Sequence, residues 1–333
     1  MKLNLPLVNA HTHAAMVAFR GLAEDLPLKE WLEENIWPAE KKQINPRFIY
    51  RNSEKAILEM QKNGIRAFCD MYFHQNETIR AVEKLKMHAV LGEAIVDFPA
   101  PSYKSPEECF DILEKQLKKF ESHPYIKIGV IAHAIYTVCE ENLIKAKKLA
   151  RQYNTIFHIH LAETKEEFDE CMEKNNLTPV GYLDKLGILD EKTVLAHCVW
   201  VNNKDIDILA KKDVKVVHCP LSNLKLGSGI APIHKMLKKG ITVALGTDGA
   251  ASSNRLDIWE AGKFAVLLQK GLTGDPAAIT AKEAIEMMTI NGMKALDIKE
   301  IDGRRVADIQ KEINSLKKYD HLYSHHINEL MQL

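Results

Sequence analysis

The chain has 333 residues, 46% of them hydrophobic and 27% charged, with 45 basic residues against 45 acidic ones. That balance gives nucleic acid or an anionic membrane no electrostatic reason to bind, and no apolar run approaches the roughly 18 residues of a membrane-spanning helix. Cys69, Cys109, Cys139, Cys171, Cys198 and Cys219 form no C-x-x-C pair, which argues against a disulfide framework or thiolate zinc site.

The N-terminus lacks the basic region, apolar stretch and cleavage site of a signal peptide. A reducing, cytoplasmic setting is therefore expected. In chain order, short β-branched runs predict strands at 7–13, 66–72, 87–95, 126–133, 155–161, 193–199, 215–220 and 241–247. Amphipathic stretches between them predict helices, among them 52–63, 106–122, 140–153, 165–175 and 203–211. Eight strands alternating with helices imply parallel pairing and an α/β fold, the (β/α)8 TIM barrel. A doubly wound open sheet is the weaker reading, because no Gly-x-Gly-x-x-Gly turn follows a strand.

Active sites of such barrels sit at the C-terminal strand ends, and those ends are polar here. "LVNAHTHAAM" at 7–16 puts His11 and His13 on one face of the first strand, since alternate side chains share a face. His133 ends the fourth strand, His158 and His160 lie on the fifth with Glu163 just beyond, and His197 ends the sixth. His218 lies on the seventh and Asp248 follows the eighth. Three neutral imidazoles and one carboxylate suit zinc, iron or another first-row metal better than magnesium or calcium.

His158 and His160 compete for the third imidazole position. His160 is chosen because "HLAE" then carries Glu163 one step beyond the metal, over the pocket. Glu163 reads as a general acid/base, since Glu166, Glu167 and Asp169 already supply the acidic start of the next helix. His197 is expected to partner the water, and His158 to fill the barrel interior. His218 is left open. Met16, Trp31 and Trp37 read as packing, and the C-terminal "YSHH" as a solvated helix face.

"VNAHTHAAM", "RGLAEDLPLKEWL", "IWPAE", "CDMYFH", "HIHLAETKEE", "LAHCVW", "HCPLSNLKLGSGIAP" and "ALGTDGAASSN" together resemble the amidohydrolase superfamily. Within it they are most similar to the branch of 5'-methylthioadenosine/S-adenosylhomocysteine deaminases, over about residues 5–298. The resemblance implies metal ligands His11, His13, His160 and Asp248, with Glu163 handling the proton at purine N1. It implies that His197 holds the attacking water, Glu40 accepts from the ribose hydroxyls and His133 contacts the purine. The implied cofactor is one divalent metal, Zn2+ with Fe2+ as alternative. Two-metal members carry a carboxylated lysine at the end of strand four, where this chain has His133, with Lys127 near the strand's start.

The expected reaction is hydrolytic deamination of an adenosine-type nucleoside: 5'-methylthioadenosine, S-adenosylhomocysteine, adenosine or 5'-deoxyadenosine. A divalent metal brings the pKa of water to about 7. Attack at C6 then needs N1 protonated, which Glu163 can do, while Asp248 relays a proton to departing ammonia. The other zinc deaminase design, His-x-Glu with Pro-Cys-x-x-Cys, is absent. Alternatives are a guanine or triazine aminohydrolase and an inactive metal-binding scaffold.

The family's flanking β-sandwich is expected to be missing. Residues 1–298 read as the barrel and 299–333 as a helical tail packed on it. Barrel surface left uncovered would favour a homo-oligomer. With Glu93, Asp97 and only Lys104 near the third strand's end, the 5' position is expected to take neutral substituents, since a homocysteine carboxylate calls for an arginine.

Overall fold

The computed structural model describes residues 5–316. Nine strands form one parallel sheet: β1 Leu7–Thr12, β2 Ile65–Tyr72, β3 His88–Ile95, β4 Ile126–Ile128, β5 Val130–Ala134, β6 Phe157–Leu161, β7 Thr193–His197, β8 Lys215–His218 and β9 Val243–Leu245. The order is β1-β2-β3-β5-β6-β7-β8-β9, with β4 also paired to β3, so the fourth stave is one strand interrupted at Gly129. Helices cover the outside, which leaves both strand faces buried. That is why these strands read as continuous rather than alternating apolar runs.

The barrel shuts where β9 meets β1. No ladder runs there; instead the Asp248 amide donates to the His11 carbonyl at 3.0 Å. Asn9 exchanges two side-chain hydrogen bonds with Thr247, at 2.7 and 2.9 Å. Gly246 permits this approach, since a Cβ there would lie 2.9 Å from both Cβ and O of His11. The closing seam thus runs directly through a candidate metal ligand.

Several helices begin where the sequence signals them. Thr164 caps Lys165–Asn175 by accepting from the Glu167 amide, and Asn202 caps Asn203–Lys211 in a capping box. The helix expected at 52–63 starts earlier, as Pro46–Lys62, with Asn45 as its cap and Pro46 in its first turn. Between β1 and that helix the chain makes a long excursion over the strand ends. It contains a 3-10 helix at Ala14–Phe19, a π-helix at Trp31–Ile36 and an α-helix at Trp37–Gln43. Met16, Phe19, Trp31 and Ile36 pack there with Ile49, Tyr72, Leu226 and Ala251 in a second, smaller core.

The region from 299 does not begin as a helix. Glu300–Ile301 and Arg304–Arg305 form an antiparallel hairpin, and the helix Val306–Leu316 follows. Asp302 and Gly303 both take positive φ, the turn that an Asp-Gly pair favours. "YSHH" lies outside the described residues. Among the described residues there is no separate flanking sandwich, and no helix is long and apolar enough to cross a membrane.

Candidate metal and nucleoside site

His11, His13, His160 and Asp248 come from the ends of β1, β6 and β9, and their ligand atoms all lie within 4.8 Å of one another. His11 Nε2 is 3.1 Å from His160 Nε2. Asp248 Oδ1 lies 3.0 Å from His13 Nε2 and 3.5 Å from His11 Nε2. A tetrahedral shell with bonds of about 2.1 Å separates its ligand atoms by about 3.4 Å, so this donor set fits one first-row cation.

The Nδ1 atoms of His11 and His13 are already engaged, which leaves their Nε2 atoms for a metal. His13 Nδ1–H donates to the Met71 carbonyl at 2.5 Å, and His11 Nδ1–H to His158 Nε2 at 2.8 Å. Ser222 and Ser252 hydroxyls donate to Asp248 Oδ2, at 2.5 and 3.1 Å, leaving Oδ1 facing the histidines. Asp248 and His197 both sit at positive φ, backbone strain of the kind that collects at functional sites.

Burial, and then the neighbouring imidazoles, push His11 down to about 4 and hold His160 well below the usual histidine range. Both are therefore neutral, as ligation requires. Burial opposes charge on Asp248, yet the imidazoles of His11 and His13 outweigh it and hold the carboxyl well below its ordinary value. His13 is the counterpart: burial lowers it, but Asp248 raises it further, to about 9. A cation must displace that proton, so metal binding at neutral pH releases one.

Around the cluster stand the remaining candidates. Glu163 is buried, with Oε2 3.6 Å from His197 Nε2. Burial pushes its carboxyl up, Asp248 adds to this, and His197 and His13 oppose it. The duty of opening the next helix falls to Glu167, which accepts from the Ala162 and Glu163 amides at 2.9 and 2.8 Å. Glu163 is thereby left free to face the site. His197 Nδ1 bonds Asn223 Oδ1 at 2.8 Å, which aims its other nitrogen at Glu163.

His133, its ring 5.0 Å from that of His160, is pushed down to about 3 by burial and by His13 and His11. Glu40, buried on the helix Trp37–Gln43, accepts from the Tyr72 hydroxyl at 2.6 Å. The Tyr72 ring in turn lies 6.2 Å from that of ligand candidate His13. Residues distant in sequence thus converge from six strands and one excursion.

Lys127 lies at the opposite end of the barrel, paired with Asp297, so no lysine from strand four enters the cluster. Glu93 accepts from the His74 and Gln75 amides and from Ser102, and Asp97 accepts from the Cys139 amide and Asn142. Both acids are thus spent on holding loops. The supporting roles of His158, Tyr72, Ser222, Ser252 and Asn223 are the part that sequence reading missed. "HCPLSN" carried a signal for two of them.

Residues 6–303 match the amidohydrolase family. The chain is 44% identical over 310 residues to a 5-methylthioadenosine/S-adenosylhomocysteine deaminase of Thermodesulfovibrio yellowstonii, covering 93% of this chain and 68% of that one. It is 40% identical to a 5'-deoxyadenosine deaminase of Methanothermobacter thermautotrophicus, covering 89% and 70% of the two chains. Among solved structures, the zinc-bound adenosine deaminase of Xanthomonas campestris superposes with a TM-score of 0.88 at 33% identity, covering 91% of this chain and 69% of that one. The chain belongs to the amidohydrolase family, metal-dependent hydrolases of carbon–nitrogen bonds. Its three-histidine, one-aspartate cluster fits the divalent metal such enzymes use.

Proposed function

We propose that the chain deaminates 5'-substituted adenosines with water, giving the matching inosine and ammonia. The observation that carries this reading is Glu40. A buried carboxyl held by Tyr72, whose ring lies 6.2 Å from that of His13, is an acceptor for a vicinal diol near the metal cluster. A free base such as guanine or a triazine has no diol to offer it. The names of the relatives at 44% and 40% identity support the same substrate class.

His11, His13, His160 and Asp248 would hold one zinc ion, which when bound supplies hydroxide at neutral pH by acidifying water. Glu163, its proton affinity raised by burial, donates to purine N1 and so makes C6 electrophilic. His197, oriented by Asn223, would hold the attacking water. Asp248 accepts the water's proton and passes it to the departing amino group. His133 packs on the purine. We assign residues 1–298 to the catalytic barrel and the segment from 299 to a terminal extension. The free cysteines suit a cytoplasmic setting.

An ultraviolet assay of zinc-loaded protein with adenosine, 5'-deoxyadenosine, methylthioadenosine, S-adenosylhomocysteine and guanine tests the reading. Turnover of adenosines and not guanine is expected. Guanine turnover alone would move the chain to the runner-up class, and inertness towards every aminopurine would leave a metal-binding scaffold.

A further inference from the structure

Glu40 does not stand alone on its helix. Trp37 precedes it by three residues, so both side chains leave on one face, and the Trp37 ring lies 6.0 Å from that of Phe98. Phe98 follows β3 at the C-terminal rim and remains 43% exposed. Tyr72 joins Glu40 to the His13 side of the cluster, and on the Glu40 helix Trp37 meets Phe98. In a nucleoside with its hydroxyls on Glu40, the 5' carbon leaves C4', next to the hydroxyl-bearing C3', and so emerges beside the Glu40 helix.

The charges around this pair disfavour an amino-acid tail. No arginine stands in residues 96–105 or 134–142, the loops after β3 and β5. Asp97 beside Phe98 is an acid, already held by the Cys139 amide and Asn142 at 2.6 and 2.7 Å. Glu33 and Glu34 precede Trp37 on the excursion. The nearby cations in sequence, Lys41 and Lys104, are exposed, without the buried fork geometry that grips a carboxylate.

We propose that Trp37 and Phe98 form the wall receiving the 5' substituent, and that this wall selects a neutral apolar group over the zwitterionic homocysteine tail. The inference rests on the nucleoside reading above. A thioether gains from aromatic contact as well as from burial, whereas a desolvated carboxylate facing aromatic rings has no partner.

The test is kcat/KM for methylthioadenosine, 5'-deoxyadenosine and S-adenosylhomocysteine in zinc-loaded wild type, Trp37→Ala, Phe98→Ala and Phe98→Arg. Wild type should prefer methylthioadenosine to S-adenosylhomocysteine by about a hundredfold. Each alanine variant should lower the ratio of methylthioadenosine to 5'-deoxyadenosine by about tenfold, and Phe98→Arg should narrow the gap to S-adenosylhomocysteine. Equal turnover of the two sulfur nucleosides in wild type, lost in Lys41→Met or Lys104→Met, would overturn the proposal, as would unchanged ratios in both alanine variants. Calorimetric titration of the same nucleosides reads the preference without turnover. A chain that binds methylthioadenosine selectively yet deaminates nothing would fail the deaminase reading alone.

Discussion

His158 Nε2 lies 2.8 Å from His11 Nδ1, with both rings fully buried in the barrel. The contact fixes which nitrogen of His11 carries its proton and so which one faces the ligand cluster. An interior histidine two residues before His160 on β6 thereby backs the ligand candidate His11. Partners of this kind typically change metal affinity by 10- to 100-fold. We expect His158→Ala to weaken zinc binding by about that factor while the protein, once saturated, keeps most of its turnover. His160→Ala should instead lose the roughly single equivalent of metal outright. Competition against a chromogenic chelator measures both, and unaltered affinity in His158→Ala would remove the supporting role.

The ribose contact makes a separate claim on Glu40. Its carboxyl is buried, accepts from the Tyr72 hydroxyl and is pushed by burial up to about 7, so above that pH its loss removes a charged acceptor from the sugar. Glu40→Ala should cost about 1.5–3 kcal/mol in kcat/KM for adenosine-type substrates, the range for hydrogen bonds to a charged group. A 2',3'-dideoxy substrate should lose much less. Equal losses for both sugars would place Glu40 in a structural role only.

These two predictions also mark what the sequence made legible. That His11, His13, His160 and Asp248 converge could be anticipated because a parallel barrel gathers its strand ends, and strand ends are visible as apolar runs stopping at polar residues. The helices Lys165–Asn175 and Asn203–Lys211 were legible as amphipathic stretches, and the Thr164 and Asn202 caps set where they start. Three features were not. The break at Gly129 depends on how β3 contacts its neighbours, since a Cβ on Gly92 would lie 2.6 Å from the Gly129 carbonyl. Residues 14–45 enter the second, smaller core from 3-10 and π turns, which have no clean hydrophobic period. The Glu300–Arg305 hairpin was signalled by Asp302-Gly303 and lost beneath the helical pattern that follows.

At the far end of the barrel, Asp297 gathers Lys127, Lys192 and Lys299. Burial resists its charge, but Lys299, Lys192 and Lys127 together bring it down to about 2. A carboxyl depressed in the folded state contributes stability above its unfolded value, about 3.9, and loses it as pH falls through the folded one. With partial solvent screening, Asp297→Asn should cost about 1–2 kcal/mol near neutral pH. The gap between variant and wild type should close between about pH 4 and pH 2. Urea denaturation of the metal-free proteins across that range reads it, and a gap independent of pH would assign the loss to packing.

The most exposed prediction concerns Glu163. Its carboxyl is free because Thr164 and Glu167 satisfy the turn behind it. Burial raises its hold on a proton, against the opposing pull of His197, and a raised carboxyl is what donation to a purine nitrogen near neutral pH requires. Glu163→Gln preserves size and a hydrogen-bonding amide but cannot shuttle a proton. Turnover of methylthioadenosine should fall by roughly 10²–10⁴-fold, the usual contribution of general acid/base catalysis. Zinc content and affinity for the inosine product should stay close to wild type, since Glu163 belongs to neither the ligand cluster nor the sugar contact. Steady-state kinetics with metal analysis and product titration distinguishes the possibilities. A fall in metal content alongside turnover would make Glu163 a structural support of the cluster. Full activity in the variant would transfer the N1 proton to His197, the other group within reach, and leave the substrate assignment standing without this mechanism.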